Sequence, residues 1–211
     1  MLPQLAKPVE GQNIVKPAAQ PPPAPDAEGL AAAARRAAKK GPPPVHLWDP
    51  PFCGDLDMEI RRDGTWFYLG TPIGREGLVR LFSSILKKEG EKYFLVTPVE
   101  KVGIRVEDAP FVAVDFVAEG EGRAQRLTFH THVGDEAVAG PDHPIRVVRD
   151  AETGEPSPYI HIRAGLEALI DRKSFYRLVE RGAHEKRDGE NWFGLWSSGA
   201  FFPVIPSAEL G

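Results

Sequence analysis

One ordered pattern, a strand pair followed by a helix and another strand pair, is written twice in this chain and restricts its folds more than any other feature. In the first copy MEIRR and TWFYLG flank Asp63 and Gly64, and Asp-Gly between apolar runs is among the stronger hairpin signals. GREGLVRLFSSILKK follows, with Leu78, Leu81, Phe82, Ile85 and Leu86 on one helical face, so a helix is expected to run until Gly90 ends it. KYFLVTP and KVGIRVE then form a second hairpin, turning through Val99 and Glu100, with Val102, Ile104 and Val106 sharing a face.

The second copy opens with IHIR, a turn at Ala164 and Gly165, and LEALI. Asp171 stands where an N-cap belongs for RKSFYRLVERG, in which Phe175, Leu178 and Val179 form the inward stripe and Gly182 is the expected stop. DGENWFGLW and AFFPVI then pair around Ser197, Ser198 and Gly199. The helices align at an offset of 97 residues, which matches Arg75 with Arg172, Arg80 with Arg177 and Leu81 with Leu178. GEKYF at 90–94 meets GENWF at 189–193, and this ordered agreement reads as a duplication. Between the copies FVAVDFVAEGEG and QRLTFHTHVG read as a long antiparallel pair, and HPIRVVRD with the turn ETGEP leads into the second copy. Neighbouring strands with few, segregated helices predict an α+β fold with antiparallel sheets in two domains, residues 45–109 and a larger 110–211.

Residues 1–44 read differently, as a tail with ten of the 21 prolines. The runs PPPAP at 21–25 and PPP at 42–44 argue against a packed core there. Between them DAEGLAAAARRAAKK predicts one short helix, with Asp26 as N-cap and Arg35, Arg36, Lys39 and Lys40 at its negative end. This tail carries six basic and three acidic side chains, which leaves 20 basic against 27 acidic in residues 45–211. An acidic body has no basic surplus for the phosphates of an extended nucleic acid, so none is expected as a partner. No stretch approaches the roughly 20 apolar residues of a membrane span, and no secretory leader is legible, so no membrane partner is expected. The single cysteine, Cys53, forms no disulfide framework, and a cytoplasmic location is the expectation.

From Pro43 to the end the chain also resembles a known family. PPVHLWDPPFCGDLDMEI, the helix opening TPIGREGLV and above all TPVEKVGIRVEDAP are similar to the bacterial family catalogued as domain of unknown function 1285. The resemblance implies a duplicated two-domain core whose C-terminal domain is superficially like a pleckstrin-homology domain. It also implies a nucleotide-like ligand between the domains and a role in signal transduction. His132 stands where the resemblance leads one to expect asparagine.

Catalytic motifs are wanting: GxSxG, a P-loop, HExxH and paired CxxC are all missing, and neither enzymatic chemistry nor a cofactor is expected. His130 and His132 alternate on one strand face and, with Asp135 and His143, are the metal candidates, set against the polar residues any half-exposed strand presents. The binding candidates are Thr97, Glu100, Lys101 and Arg105, where two adjacent opposite charges sit in a short connection between Pro98 and Gly103. If this hairpin faces the second domain, Lys101 and Arg105 hold an anionic group and Glu100 receives a hydroxyl or base donor; an interdomain salt bridge is the bland alternative. The expected function is regulatory binding of a small, nucleotide-like ligand. A protein or peptide partner, met through Trp192, Phe193, Trp196, Phe201 and Phe202, is the second reading.

Overall fold

The computed structural model describes residues 26–38 and 43–210. The proline run at 21–25, Lys39, Lys40 and Pro42 lie outside the described residues. The tail helix is present as α1 (Ala27–Ala38). Asp26 caps it, its Oδ1 accepting the N–H groups of Glu28 and Gly29, each at 2.9 Å. The helix is not apart from the core as its proline-rich surroundings suggest. Leu30, Ala31, Ala33 and Ala34 are buried, and α1 packs on the second helix, since alanines let two helix backbones approach closely.

The N-terminal unit holds β1 (Phe52–Ile60), β2 (Trp66–Tyr68), β3 (Thr71–Pro72), α2 (Glu76–Ser84), β4 (Leu86–Glu89), β5 (Lys92–Val96) and β6 (Lys101–Val106). These strands form one sheet in the order β3-β2-β1-β6-β5-β4. Both expected hairpins are there, β1 with β2 across Asp63-Gly64 and β5 with β6. The helix, however, stops at Ser84, and Leu86–Glu89 is a strand that pairs with Lys92–Val96 around Gly90, whose φ is +59°. The hydroxyls of Ser83 and Ser84 donate back to the carbonyls of Arg80 and Leu81 at 2.8 and 2.7 Å, which is how such residues compete with helix propagation. Gly90 thus makes a hairpin turn rather than a helix stop.

The C-terminal unit repeats the plan. β7 (Phe111–Glu119), β8 (Arg126–Thr131), β9 (Glu136–Val138), β10 (Ile145–Arg149), β11 (Pro156–Arg163) and β12 (Leu166–Ile170) form a second sheet in the order β10-β11-β12-β7-β8-β9. In each sheet two antiparallel three-strand runs are joined by one parallel pair, first strand to last: β1 with β6, and β7 with β12. After β12 come α3 (Arg172–Val179), capped by Asp171 through the Ser174 N–H at 2.7 Å, and a third sheet of β13 (Ala183–Arg187), β14 (Glu190–Ser197) and β15 (Ala200–Pro206). The molecule is therefore a two-domain α+β protein with a duplicated, antiparallel-rich core. The helix-to-strands order recurs as well, but the strands after α2 join β1, whereas those after α3 stand apart because β7 already occupies the edge of β12.

One apolar cluster runs through both units. Trp66 and Phe82 stack with centroids 6.2 Å apart in the first, and Phe111, Leu127, Phe129, Ile160 and Leu166 fill the second. Ser197 ties the third sheet to it: its buried hydroxyl accepts from the Leu127 N–H at 2.9 Å and donates to the Ala139 carbonyl at 2.7 Å. The aromatic tail residues Phe201 and Phe202 belong to this interior, and Trp196 packs on Phe201 at 5.3 Å with Arg123 over its ring.

Candidate functional site

Thr97, Lys101 and Arg105 each find a partner inside the N-terminal unit, whereas the Glu100 carboxylate meets none among the described residues. Thr97 is fully buried and builds the turn between β5 and β6, its hydroxyl accepting from the Glu100 N–H at 3.2 Å and the Val99 N–H at 3.4 Å. Glu100 lies beside Asp26 at the head of α1, and burial, with Asp26 adding to it, holds its carboxyl above its ordinary pKa. Lys101 sits 3.0 Å from Glu89 Oε2 with its ammonium 5.1 Å from the Phe94 ring centroid, while Lys87 meets the other Glu89 oxygen at 3.0 Å. Those two bonds, Lys87's first, lower the Glu89 pKa. Arg105 pairs across the sheet with Asp57 at 2.9 Å and Glu59 at 3.8 Å. Four residues of strand separate Lys101 from Arg105 by about 13 Å. The two cations share a strand face, but each is tied to a carboxylate of its own sheet; the hairpin does not carry them to the second domain, and Thr97 is a turn residue.

The histidine strand is likewise divided. His130 Nδ1 lies 3.2 Å from Glu136, while both ring nitrogens of His132 meet main chain. His132 Nδ1 accepts the Val112 N–H at 3.2 Å, which requires the neutral ring, and Nε2 then donates to the Gly64 carbonyl at 3.1 Å. A carboxamide also carries one acceptor and one donor, on a shorter arm than the imidazole. Among the described residues no group of three or more His, Cys, Asp or Glu is arranged to hold a metal. Cys53 is exposed, its Sγ 3.4 Å from the Pro51 carbonyl.

His132 marks the seam between the two units, and two arginines complete it. Arg163 pairs with Asp135, donates to the Ser83 carbonyl at the end of α2 at 2.8 Å, and lies 4.9 Å from the Phe111 ring centroid. Arg62, from the β1–β2 turn, meets Asp108 at 2.9 Å and the Ser157 hydroxyl at 2.8 Å. Along this seam opens a pocket of about 290 Å³, walled by Ser84, Leu86, Lys87 and Lys88 on one side and Arg163 and Leu166 on the other, with His46 at its rim. Among the described residues its charged lining is wholly basic, with no carboxylate contributing. Lys87 and Arg163 have acid partners, but Lys88 has none within 4.0 Å among the described residues, and its ammonium stands 5.5 Å from the Tyr93 ring centroid. Sequence reasoning missed this site because it assigned Lys87 and Lys88 to the end of a helix; the adjacent lysine pair was the available signal.

The fold and the seam define a class, a duplicated two-domain α+β protein with a basic pocket at its domain junction. Family models described as the N-terminal and C-terminal domains of a protein of unknown function, DUF1285, match residues 43–109 and 110–204, and the chain belongs to that family. Among solved structures, a DUF1285 family protein from Silicibacter pomeroyi DSS-3 is 68% identical with a TM-score of 0.78, over 86% of this chain and 97% of that one. Another, from Shewanella baltica OS155, is 31% identical over 60% of this chain and 92% of that one, with a TM-score of 0.48. Comparison with curated proteins finds no match.

Proposed function

We propose that this chain is a cytoplasmic regulatory protein that binds a small anionic, nucleotide-like ligand at its domain junction and takes part in bacterial signal transduction. The observation that carries the reading is the seam pocket of about 290 Å³, whose charged groups among the described residues are all basic and whose remaining walls include Leu86 and Leu166. Clefts between domains, mostly apolar with a few convergent polar groups, are favoured small-molecule sites. Lys88 is the cation best able to meet an incoming phosphate, since its neighbours Lys87 and Arg163 are already neutralised. Because the walls come from both units, a bound anion adds a tie across the seam, and this is how occupancy would become a conformational signal.

Thermal-shift titration with AMP, ADP and phosphorylated sugars tests the proposal, because a ligand that binds only the native state raises the melting temperature. A nucleotide-dependent shift that falls with Lys88→Ala is expected, the loss of one charge-assisted bond costing about 1.5–3 kcal/mol of binding. If no compound shifts the melting temperature at millimolar concentration, the nucleotide reading is wrong.

A further inference from the structure

On the opposite flank of α2 lies a larger cleft, of about 450 Å³, that shares no lining residue with the seam pocket. Its floor is apolar: Ile73, Leu78 and Phe82, with Tyr68 beside them. Phe82 is fully buried and stacked on Trp66, so this floor is held rigid from behind. Its other wall is α1, which presents Ala27 and Ala31 to the space. Those small side chains leave unfilled a volume that larger ones would close. At the rim stand two arginines from different elements, Arg35 on α1 and Arg75 at the N-cap of α2. Neither has a carboxylate within 4.0 Å among the described residues, and Glu28 is the one acid in the lining.

We propose that this cleft is a second ligand site, and that it takes an amphipathic anion: an apolar chain or ring that ends in a carboxylate. An apolar body alone gains about 25 cal/mol for each Å² it buries, and the half-covered floor of Ile73, Leu78 and Tyr68 supplies that surface. Guanidinium groups present a planar fork that matches a carboxylate, so Arg35 and Arg75 select an acid over an alcohol of the same length. The volume falls within the roughly 300–1,000 Å³ typical of small-molecule sites. Since α1 forms one wall, the occupant also fastens that helix to the body. The site is independent of the junction pocket, and neither proposal depends on the other.

Isothermal titration of the full chain with octanoate, against octanol and acetate, tests it. Octanoate is expected to bind in equimolar ratio, with octanol weaker by about tenfold for the loss of one charge-assisted contact, and acetate weaker by about a hundredfold or more because it lacks six of the methylenes that would be buried. Arg75→Ala, an exposed change that opens no core cavity, should weaken octanoate by about tenfold and leave octanol unchanged. Lys88→Ala, in the other pocket, should change neither. Octanol binding as tightly as octanoate, an unaltered affinity in Arg75→Ala, or no binding of octanoate at all would each overturn the assignment.

Discussion

Single residues in this protein divide into those whose removal strands a buried group and those whose removal frees only an exposed one. Ser197 is of the first kind. Its hydroxyl serves a buried N–H and a buried carbonyl on the neighbouring sheet, so Ser197→Ala should cost about 1–3 kcal/mol for each group left unpaired, read as a lower urea midpoint. Arg105 is of the second. Its side chain is 64% exposed and its acid partners Asp57 and Glu59 stay within reach of water. Arg105→Ala is therefore expected to cost under about 1 kcal/mol and to leave any nucleotide-induced thermal shift intact. A lost shift would return the binding role to the hairpin where sequence reasoning put it. That reasoning saw the right chemistry, a cation opposite an apolar strand face, but not that β1 brings Asp57 and Glu59 alongside through a parallel pairing no local pattern announces.

At the scale of elements, local signals survived and long-range pairings did not. The Asp-Gly hairpin and the caps Asp26 and Asp171 were legible because each depends on a few adjacent residues. The end of α2 was not, because Ile85 and Leu86 fit a helical stripe and a buried strand equally well, and both are buried. Gly182 shows the same limit: a Cβ there would collide with the Phe193 ring, so packing rather than helix termination requires glycine. Gly182→Ala should destabilise by about 1–3 kcal/mol through overpacking. Helix α1 has only Leu30 and three alanines buried, and a helix of its 12 residues is marginal in isolation. Leu30→Asp should accordingly release it, seen as faster tryptic cleavage at Arg35 and Arg36 with little change in the melting temperature of the body.

For the whole molecule the decisive region is the seam, where His132, Arg163 and Arg62 reach from one unit to the other. Of these, His132 makes the junction sensitive to pH. Burial lowers its pKa below the usual 6.5, and the geometry needs an unprotonated Nδ1 to accept the Val112 N–H. Asp135 and Asp63 lie near enough to oppose this shift without reversing it. In the unfolded chain the ring takes up its proton near pH 6.5, so between that value and the lower folded pKa the unfolded state binds more protons than the native one. Stability contributed by the neutral ring is then fully present above pH 6.5 and is lost as pH falls through the folded pKa. Most carboxylates titrate below this window, but His132 is one of six histidines, so it is the difference between wild type and a His132 variant in a urea-midpoint series from pH 7.5 to about 5.5 that reports this residue. His132→Asn keeps one acceptor and one donor without a titrating group. It should fold, and its midpoint should decline less steeply than that of the wild type over this range. Equal slopes in the two proteins would mean that another group governs the acid side, and that His132 is a tie without a switch.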